Sequence, residues 1–70
     1  MKFLISDFIL NTDRLVKKSN LNMNKLSEKS RISKGVLSDI LNGHYEPGIQ
    51  HLVGLSEALN VQINDLVKQN

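Results

Sequence analysis

Residues 22–43 are the part of this 70-residue chain that most constrains its fold. Asn22 and Ser33 can each accept a hydrogen bond from a backbone N–H group shortly after them, so each can begin a helix. Gly43 can adopt the left-handed conformation that commonly follows a helix. Between them, apolar residues recur at the spacing of one helical face: Leu37, Ile40 and Leu41. The segment predicts two short helices joined by a turn of about three residues.

The rest of the chain extends this pair to an all-α domain. Apolar periodicity, interrupted by turn residues, predicts helices near residues 7–19, 23–30, 34–42, 48–59 and 63–68. We expect Ser6 or Asp7 to begin the first helix, and Asn60 to end the fourth in a left-handed conformation. No linker divides the chain, so residues 1–70 are predicted to form a single small domain.

The beginning of the chain is unusually apolar. Met1, Phe3, Leu4 and Ile5 have three possible roles: they extend the first helix, cover the core, or pair as a strand with a second subunit. Asp7 interrupts the apolar run, so the segment lacks the pattern of a signal peptide. No apolar run approaches the ~20 residues needed to cross a bilayer. We therefore expect a soluble, cytoplasmic protein without membrane association.

Charge is distributed unevenly along the chain, whose formal net charge is +2. Residues 14–34 carry seven basic side chains and one acidic side chain, a net charge of +6. The remaining residues carry two basic and six acidic side chains, a net charge of −4. A fold with one basic and one acidic region is typical of a nucleic-acid-binding protein. A surface charged only for solubility is the alternative.

The polar face of the predicted helix at 34–42 carries groups that can read base edges. Lys34 can donate to guanine O6 and N7, Ser38 can bond several bases, and Asp39 can accept from cytosine N4. Such a helix is suited to the major groove of DNA. An ordinary amphipathic helix with a solvated polar face is the alternative interpretation.

The sequence over residues 21–66 resembles the Cro/CI-type (XRE-type) helix-turn-helix family, whose fold is lambda-repressor-like. Family positions in and after the turn are matched by Leu26-Ser27, Ile32-Ser33, Leu37, Ile40, Asn42-Gly43 and Pro47. The family's pattern for its last two helices is matched by Ile49, Leu52, Val53, Leu55, Ala58, Leu59, Val61, Ile63 and Leu66. The resemblance implies a five-helix DNA-binding domain.

Four residues depart from the family pattern. Arg31 occupies the turn position where the family prefers glycine, and a left-handed non-glycine residue costs roughly 1–2 kcal/mol. We therefore expect a strained or differently shaped turn. Ser30 replaces an apolar core residue, Leu41 replaces a frequent glutamate, and Val16 replaces a frequent arginine. These departures concern local packing and one phosphate contact.

Residues on and around the two helices are candidates for contact with DNA, and the resemblance implies base reading by Lys34, Gly35, Ser38 and Asp39. The candidates for base reading are Ser33, Lys34, Gly35, Val36, Ser38, Asp39 and Asn42. The candidates for phosphate binding are Lys17, Lys18, Asn22, Met23, Asn24, Arg31 and His44. Gly35 either permits close approach to the groove or is a tolerated first-turn glycine, and His44 is alternatively a solvated loop residue. Tight binding by a domain of this size needs two half-sites, so we expect a homodimer, with Leu66 and Val67 as contacts.

The leading hypothesis is a sequence-specific DNA-binding regulator, most simply a phage, plasmid or bacterial repressor. A DNA-binding antitoxin and a restriction-modification controller are close variants, and a protein-interaction module that reuses the fold is an alternative. We expect no enzymatic activity, because His44 and His51 lack a neighbouring carboxylate cluster and the chain has no cysteine. No metal, cofactor or small-molecule substrate is indicated.

Overall fold

The computed structural model describes residues 2–70, and this part of the chain folds into five α-helices without a β-strand. The helices are α1 (Ile5–Ser19), α2 (Met23–Ser30), α3 (Lys34–Leu41), α4 (Ile49–Leu59) and α5 (Ile63–Val67). The prediction of an all-α, five-helix fold is confirmed. Within residues 2–70, every helix is too short or too polar to cross a membrane.

The helix ends follow local sequence signals at most of the predicted positions. Asn22 Oδ1 accepts from the Lys25 N–H group at 2.8 Å, and Ser33 Oγ accepts from the Val36 N–H group at 3.2 Å. Gly43 and Asn60 adopt the left-handed conformation, with φ of 78° and 56°. The predicted helix starts at Asn22 and Ser33 and the predicted left-handed residues are confirmed.

The first helix differs from the prediction at its start. It begins at Ile5, preceded by Leu4, and not at Ser6 or Asp7; no side chain caps it. Ile5 therefore extends the first helix, which is one of the three roles proposed for the apolar residues at the start of the chain. Met1 lies outside the described residues. The other helix limits agree with the prediction to within one residue.

The core is built from apolar side chains of all five helices. The fully buried apolar residues are Phe8, Leu26, Leu37, Ile40, Leu55 and Leu66. α2 packs most extensively on α4 and α1 on α5, while α3 contacts both α1 and α2. Contacts from two helices hold α3 from one side and leave its other side exposed.

One predicted dimer contact is corrected by this packing. Leu66 is 0% exposed within a single copy of the chain, because α5 turns it into the core against α1 and α4. It is unavailable to a second copy, so its assignment as a dimer contact is wrong. Val67 is half-buried and remains a candidate.

α2 and α4 approach each other most closely where Gly54 faces Ser30. Gly54 is buried, and a Cβ atom added to it would overlap the backbone carbonyl oxygen of Ser30. Only glycine allows this crossing. The contact positions the end of α2, and therefore also the turn that follows Ser30.

Asn11 joins α1 to the end of α5. Its side-chain Nδ2 group donates to the carbonyl oxygens of Leu66 at 3.1 Å and Lys68 at 2.9 Å. The last carbonyl groups of a helix have no N–H partner within that helix. The buried amide of Asn11 thus satisfies one such group, that of Leu66, and also the carbonyl of Lys68, the extended residue that follows this five-residue helix.

Candidate nucleic-acid interface

The exposed side of α3 carries the residues predicted to read bases. Six of the seven are exposed: Ser33, Lys34, Gly35, Ser38, Asp39 and Asn42. Val36 is half-buried at the edge of this face. On the opposite side, Leu37 and Ile40 are fully buried and anchor the helix to the core. The polar face is therefore accessible to a ligand.

A hydrogen bond on this face orients Ser38. The Asn42 Nδ2 group donates to the Ser38 carbonyl oxygen at 2.8 Å and to Ser38 Oγ at 3.3 Å. Elsewhere in the fold, Ser19 and Ser56 donate their hydroxyl hydrogens to backbone carbonyls three residues earlier. Because Ser38 Oγ accepts from Asn42, its hydroxyl hydrogen points away from Asn42.

Exposed basic side chains lie on α1, on α2, in the turn after α2 and at the start of α3. Within residues 2–70, these include Lys18, Lys29, Arg31 and Lys34, which take no part in an ion pair. Two others have an acidic partner: Lys17 pairs with Asp13 at 2.9 Å, and Lys25 lies 3.9 Å from Glu28. An exposed ion pair contributes little free energy, so Lys17 can leave Asp13 for another anion.

The beginning of α2 offers a second polar position. Asn22, Met23 and Asn24 are all exposed. Asn22 bonds the N–H groups of Lys25 and Leu26, through its side chain and its carbonyl oxygen respectively. The N–H groups of Met23 and Asn24 belong to the first turn, which has no carbonyl partner within its own helix. Together with the helix dipole, they favour an anion.

Of the predicted phosphate contacts, His44 follows α3 directly. Its backbone N–H group donates to the Asp39 carbonyl oxygen at 2.8 Å, which closes the end of α3. The side chain is exposed. Lys17, Lys18 and Arg31 are also exposed, on α1 and in the turn. The fold thus leaves all seven predicted phosphate contacts accessible.

Comparison with known families agrees with this geometry. A family model described as helix-turn-helix matches residues 14–66, which include all of α2, α3 and α4. The chain belongs to the Cro/CI-like (XRE-type) helix-turn-helix family. It is accordingly a DNA-binding helix-turn-helix domain with a lambda-repressor-like fold. A search among curated proteins finds no match.

The helix-turn-helix turn keeps the left-handed geometry although it lacks glycine. Arg31 has φ of 62°, so the expected strain is present. Two serines stabilise this turn: Ser27 Oγ donates to the Ile32 carbonyl oxygen at 2.6 Å, and the Ile32 N–H group donates to Ser30 Oγ at 3.3 Å. Where the family has an apolar core residue, this chain therefore has a buried serine whose hydroxyl oxygen accepts a hydrogen bond from the turn.

Replacement of Arg31 by glycine should raise the free energy of unfolding by about 1 kcal/mol. Relief of roughly 1–2 kcal/mol of left-handed strain exceeds the added entropy of an unfolded glycine, about 0.5–1 kcal/mol. Urea denaturation followed by circular dichroism measures the change. Arg31→Lys is the control, because it keeps both the charge and the strain. Equal stability of the two variants would contradict a strained turn.

Sequence reasoning missed Tyr45 as a candidate contact. Its side chain is 45% exposed, in the loop just after the helix-turn-helix segment. Its ring packs edge-on against His51, with 5.6 Å between ring centroids. His51 is in turn held by the Gly48 N–H group, which donates to its Nδ1 atom at 2.9 Å. The sequence did offer a signal, an aromatic residue next to His44. Tyr45 lies outside the helical spacing on which the prediction relied, so it was not selected.

Proposed function

We propose that this chain is a sequence-specific transcriptional regulator, a homodimeric repressor that occupies a palindromic operator through the major groove. The observation that carries the proposal is the exposed polar face of α3, held from behind by buried Leu37 and Ile40. Membership of the helix-turn-helix family supports the same role. A repressor of this kind blocks polymerase by occupying DNA, and it acts in the cytoplasm of a bacterial host.

Three side chains on α3 are proposed to read bases directly. Lys34 donates to guanine O6 or N7. Ser38 donates to a base acceptor, because the Asn42 amide already occupies one side of its hydroxyl oxygen. Asp39 accepts from cytosine N4 and makes no ion pair among the described residues. Ser33, Gly35, Val36 and Asn42 border these contacts.

Phosphate contacts are proposed to set the position of α3 in the groove. The N-terminus of α2 takes one phosphate through the N–H groups of Met23 and Asn24, with the side chains of Asn22 and Asn24 beside it. Flanking phosphates are contacted by Lys17, Lys18, Arg31 and His44, and Tyr45 adds a hydroxyl donor. These contacts supply affinity and are sensitive to salt.

Selection of bound sites from random duplex DNA tests the proposal. We expect a palindrome whose half-sites lie about 34–36 Å apart, with affinity that falls steeply as salt rises. Recovery of no preferred sequence, with weak binding to all DNA, would contradict the proposal and favour a protein-interaction module. An antitoxin or a controller protein would also select a site, and differs in requiring a partner or an operon context.

Asp39→Ala should change base preference at one position of each half-site. The wild-type carboxylate favours cytosine there, and one good base contact provides about 1–3 kcal/mol of discrimination. Asp39→Asn is the matched variant, since an amide of the same shape favours adenine. Competition binding with single-base variants of the selected site measures both. Equal tightening on every sequence would mean that Asp39 only repels phosphates and does not read a base.

A further inference from the structure

His51 bonds the start of its own helix through a ring nitrogen. The Gly48 N–H group donates to His51 Nδ1 at 2.9 Å. Gly48 precedes the first turn of α4, and His51 is the third residue of that turn. A glutamate or glutamine at this position commonly accepts from the same N–H group. In this chain an imidazole, which can take up a proton near neutral pH, fills that place.

This hydrogen bond determines where the imidazole carries its proton. A neutral imidazole has one N–H group and one bare nitrogen, whereas the protonated form has two N–H groups and no acceptor. Since Nδ1 accepts from Gly48, the proton of the neutral ring is on Nε2. A second proton would set two N–H groups against each other and place a cation at the positive end of the α4 dipole. The bond therefore requires a neutral His51.

The same ring packs against Tyr45 in the loop between α3 and α4. The two ring planes are nearly perpendicular, at 87°, with 5.6 Å between centroids. Among the described residues, neither Tyr45 nor Glu46 makes a backbone–backbone hydrogen bond. The ring contact is therefore the main restraint on Tyr45, whose side chain is 45% exposed and can still contact a ligand.

The surroundings of His51 place this pair of rings beside the candidate interface. His51 lines a hollow together with Ser33 and Val36, at the start of α3. The charged groups that line the hollow are Arg31, in the turn after α2, and Glu57, on α4. Within residues 2–70, neither of these two belongs to an ion pair. A change at His51 thus acts next to α3 and on the loop that follows it.

We infer that His51 is a positioning residue for DNA binding: while neutral, it caps α4 and holds Tyr45 against the DNA backbone, and protonation releases both. The inference rests on the proposed function for the contact between Tyr45 and a phosphate. Part of the DNA affinity is therefore present at a pH that keeps His51 neutral and is lost as the pH falls. His44 acts in the opposite direction, because its proton adds a positive charge beside the phosphates.

A double-mutant cycle on the full chain tests the positioning. His51→Gln keeps a neutral acceptor for the Gly48 N–H group but removes the ring, and Tyr45→Phe removes only the hydroxyl group. At about pH 8, Tyr45→Phe should weaken binding to the selected DNA site about 3- to 10-fold in the wild type and less than about 2-fold in His51→Gln. Equal losses in the two backgrounds would overturn the inference.

His44→Gln is the matched control for the cycle. It makes the same change in an exposed histidine next to Tyr45, whose ring pairs with His51. The full cost of Tyr45→Phe should therefore remain in His44→Gln. Loss of that cost in His44→Gln as well would mean that the effect is not specific to His51.

The pH dependence gives a second test. The affinity of the wild type is divided by that of His51→Gln, so that the titration of His44, present in both proteins, cancels. This ratio should be about 3–10 at about pH 8 and fall to about 1 or below at about pH 5.5. Circular dichroism at each pH checks that both proteins are folded. A ratio independent of pH would refute the role of the proton.

NMR of the imidazole nitrogens, without DNA, separates this inference from the proposed function. At about pH 8, His51 should have a bare Nδ1 and a protonated Nε2. A proton on Nδ1 would overturn the inference even in a protein that selects a DNA site. A wild type with the expected proton position that selects no DNA site would refute the proposed function, and with it the role of His51 in binding.

Discussion

Asn11→Ala should lower the free energy of unfolding by about 2–4 kcal/mol, because two carbonyl groups lose their donor. A buried polar group left without a partner costs about 1–3 kcal/mol. The carbonyl oxygens of Leu66 and Lys68 both depend on the Asn11 amide. A domain of this size has a total stability of only about 4–10 kcal/mol, so the variant should lose a large part of it and unfold at a lower temperature. Urea denaturation followed by circular dichroism gives the value.

Asn11→Asp separates hydrogen bonding from packing. Aspartate has nearly the same shape, but an ionised carboxylate donates no hydrogen bond and repels the two carbonyl oxygens. We expect a loss at least as large as that of Asn11→Ala. Hydrogen exchange should show the greatest loss of protection at the Lys68 N–H group, which bonds the Asn64 carbonyl oxygen of α5. Wild-type stability in Asn11→Asp would show that the amide bonds are dispensable.

Gly54→Ala should destabilise the domain by roughly 1 kcal/mol although alanine is the better helix former. The new methyl group would overlap the Ser30 carbonyl oxygen, and a backbone atom cannot move aside as a flexible side chain can. Overpacking of this kind costs about 1–3 kcal/mol. It outweighs the gain of about 1 kcal/mol in helix propensity. Chemical denaturation measures the difference.

Gly35→Ala is the matched control for Gly54→Ala, because it makes the same change in an exposed helix. Nothing lies within 4 Å of a Cβ atom added at Gly35. The control should therefore gain up to ~1 kcal/mol of stability. If both variants gain stability, the α2–α4 crossing is looser than described. Gly35→Ala also decides between the two roles considered for this glycine, since only close approach to DNA would make the stabilised variant bind more weakly.

The features predicted well from sequence are those set by neighbouring residues. Asn22, Ser33 and Gly43 mark the helix ends through bonds and backbone angles that span only a few residues. The spacing of Leu37 and Ile40 fixes which side of α3 is buried, and hence which side is open. These local signals account for the fold class and for the accessible polar face of α3.

The features that sequence reasoning missed depend on contacts between distant parts of the chain. Leu66 is an apolar residue on a short helix. The spacing of apolar residues does not show whether such a side chain is buried in the core of its own chain or against a second copy. Asn11 is polar on the buried side of α1, and its acceptors lie 55 and 57 residues away. The need for glycine at Gly54 arises only from the crossing with α2. Such contacts require the complete packing arrangement.

The serine bonds in the turn have a consequence for how binding affinity arises. Ser27 and Ser30 tie the backbone of Ile32 in place, so the angle between α2 and α3 is set before any duplex arrives. A preorganised pair of helices loses little backbone freedom on docking, and the remaining ordering cost falls on flexible lysine and arginine side chains. The DNA, and not the protein, must then change shape when the two bind. Operators whose grooves deform easily should be favoured even at base pairs that no side chain touches.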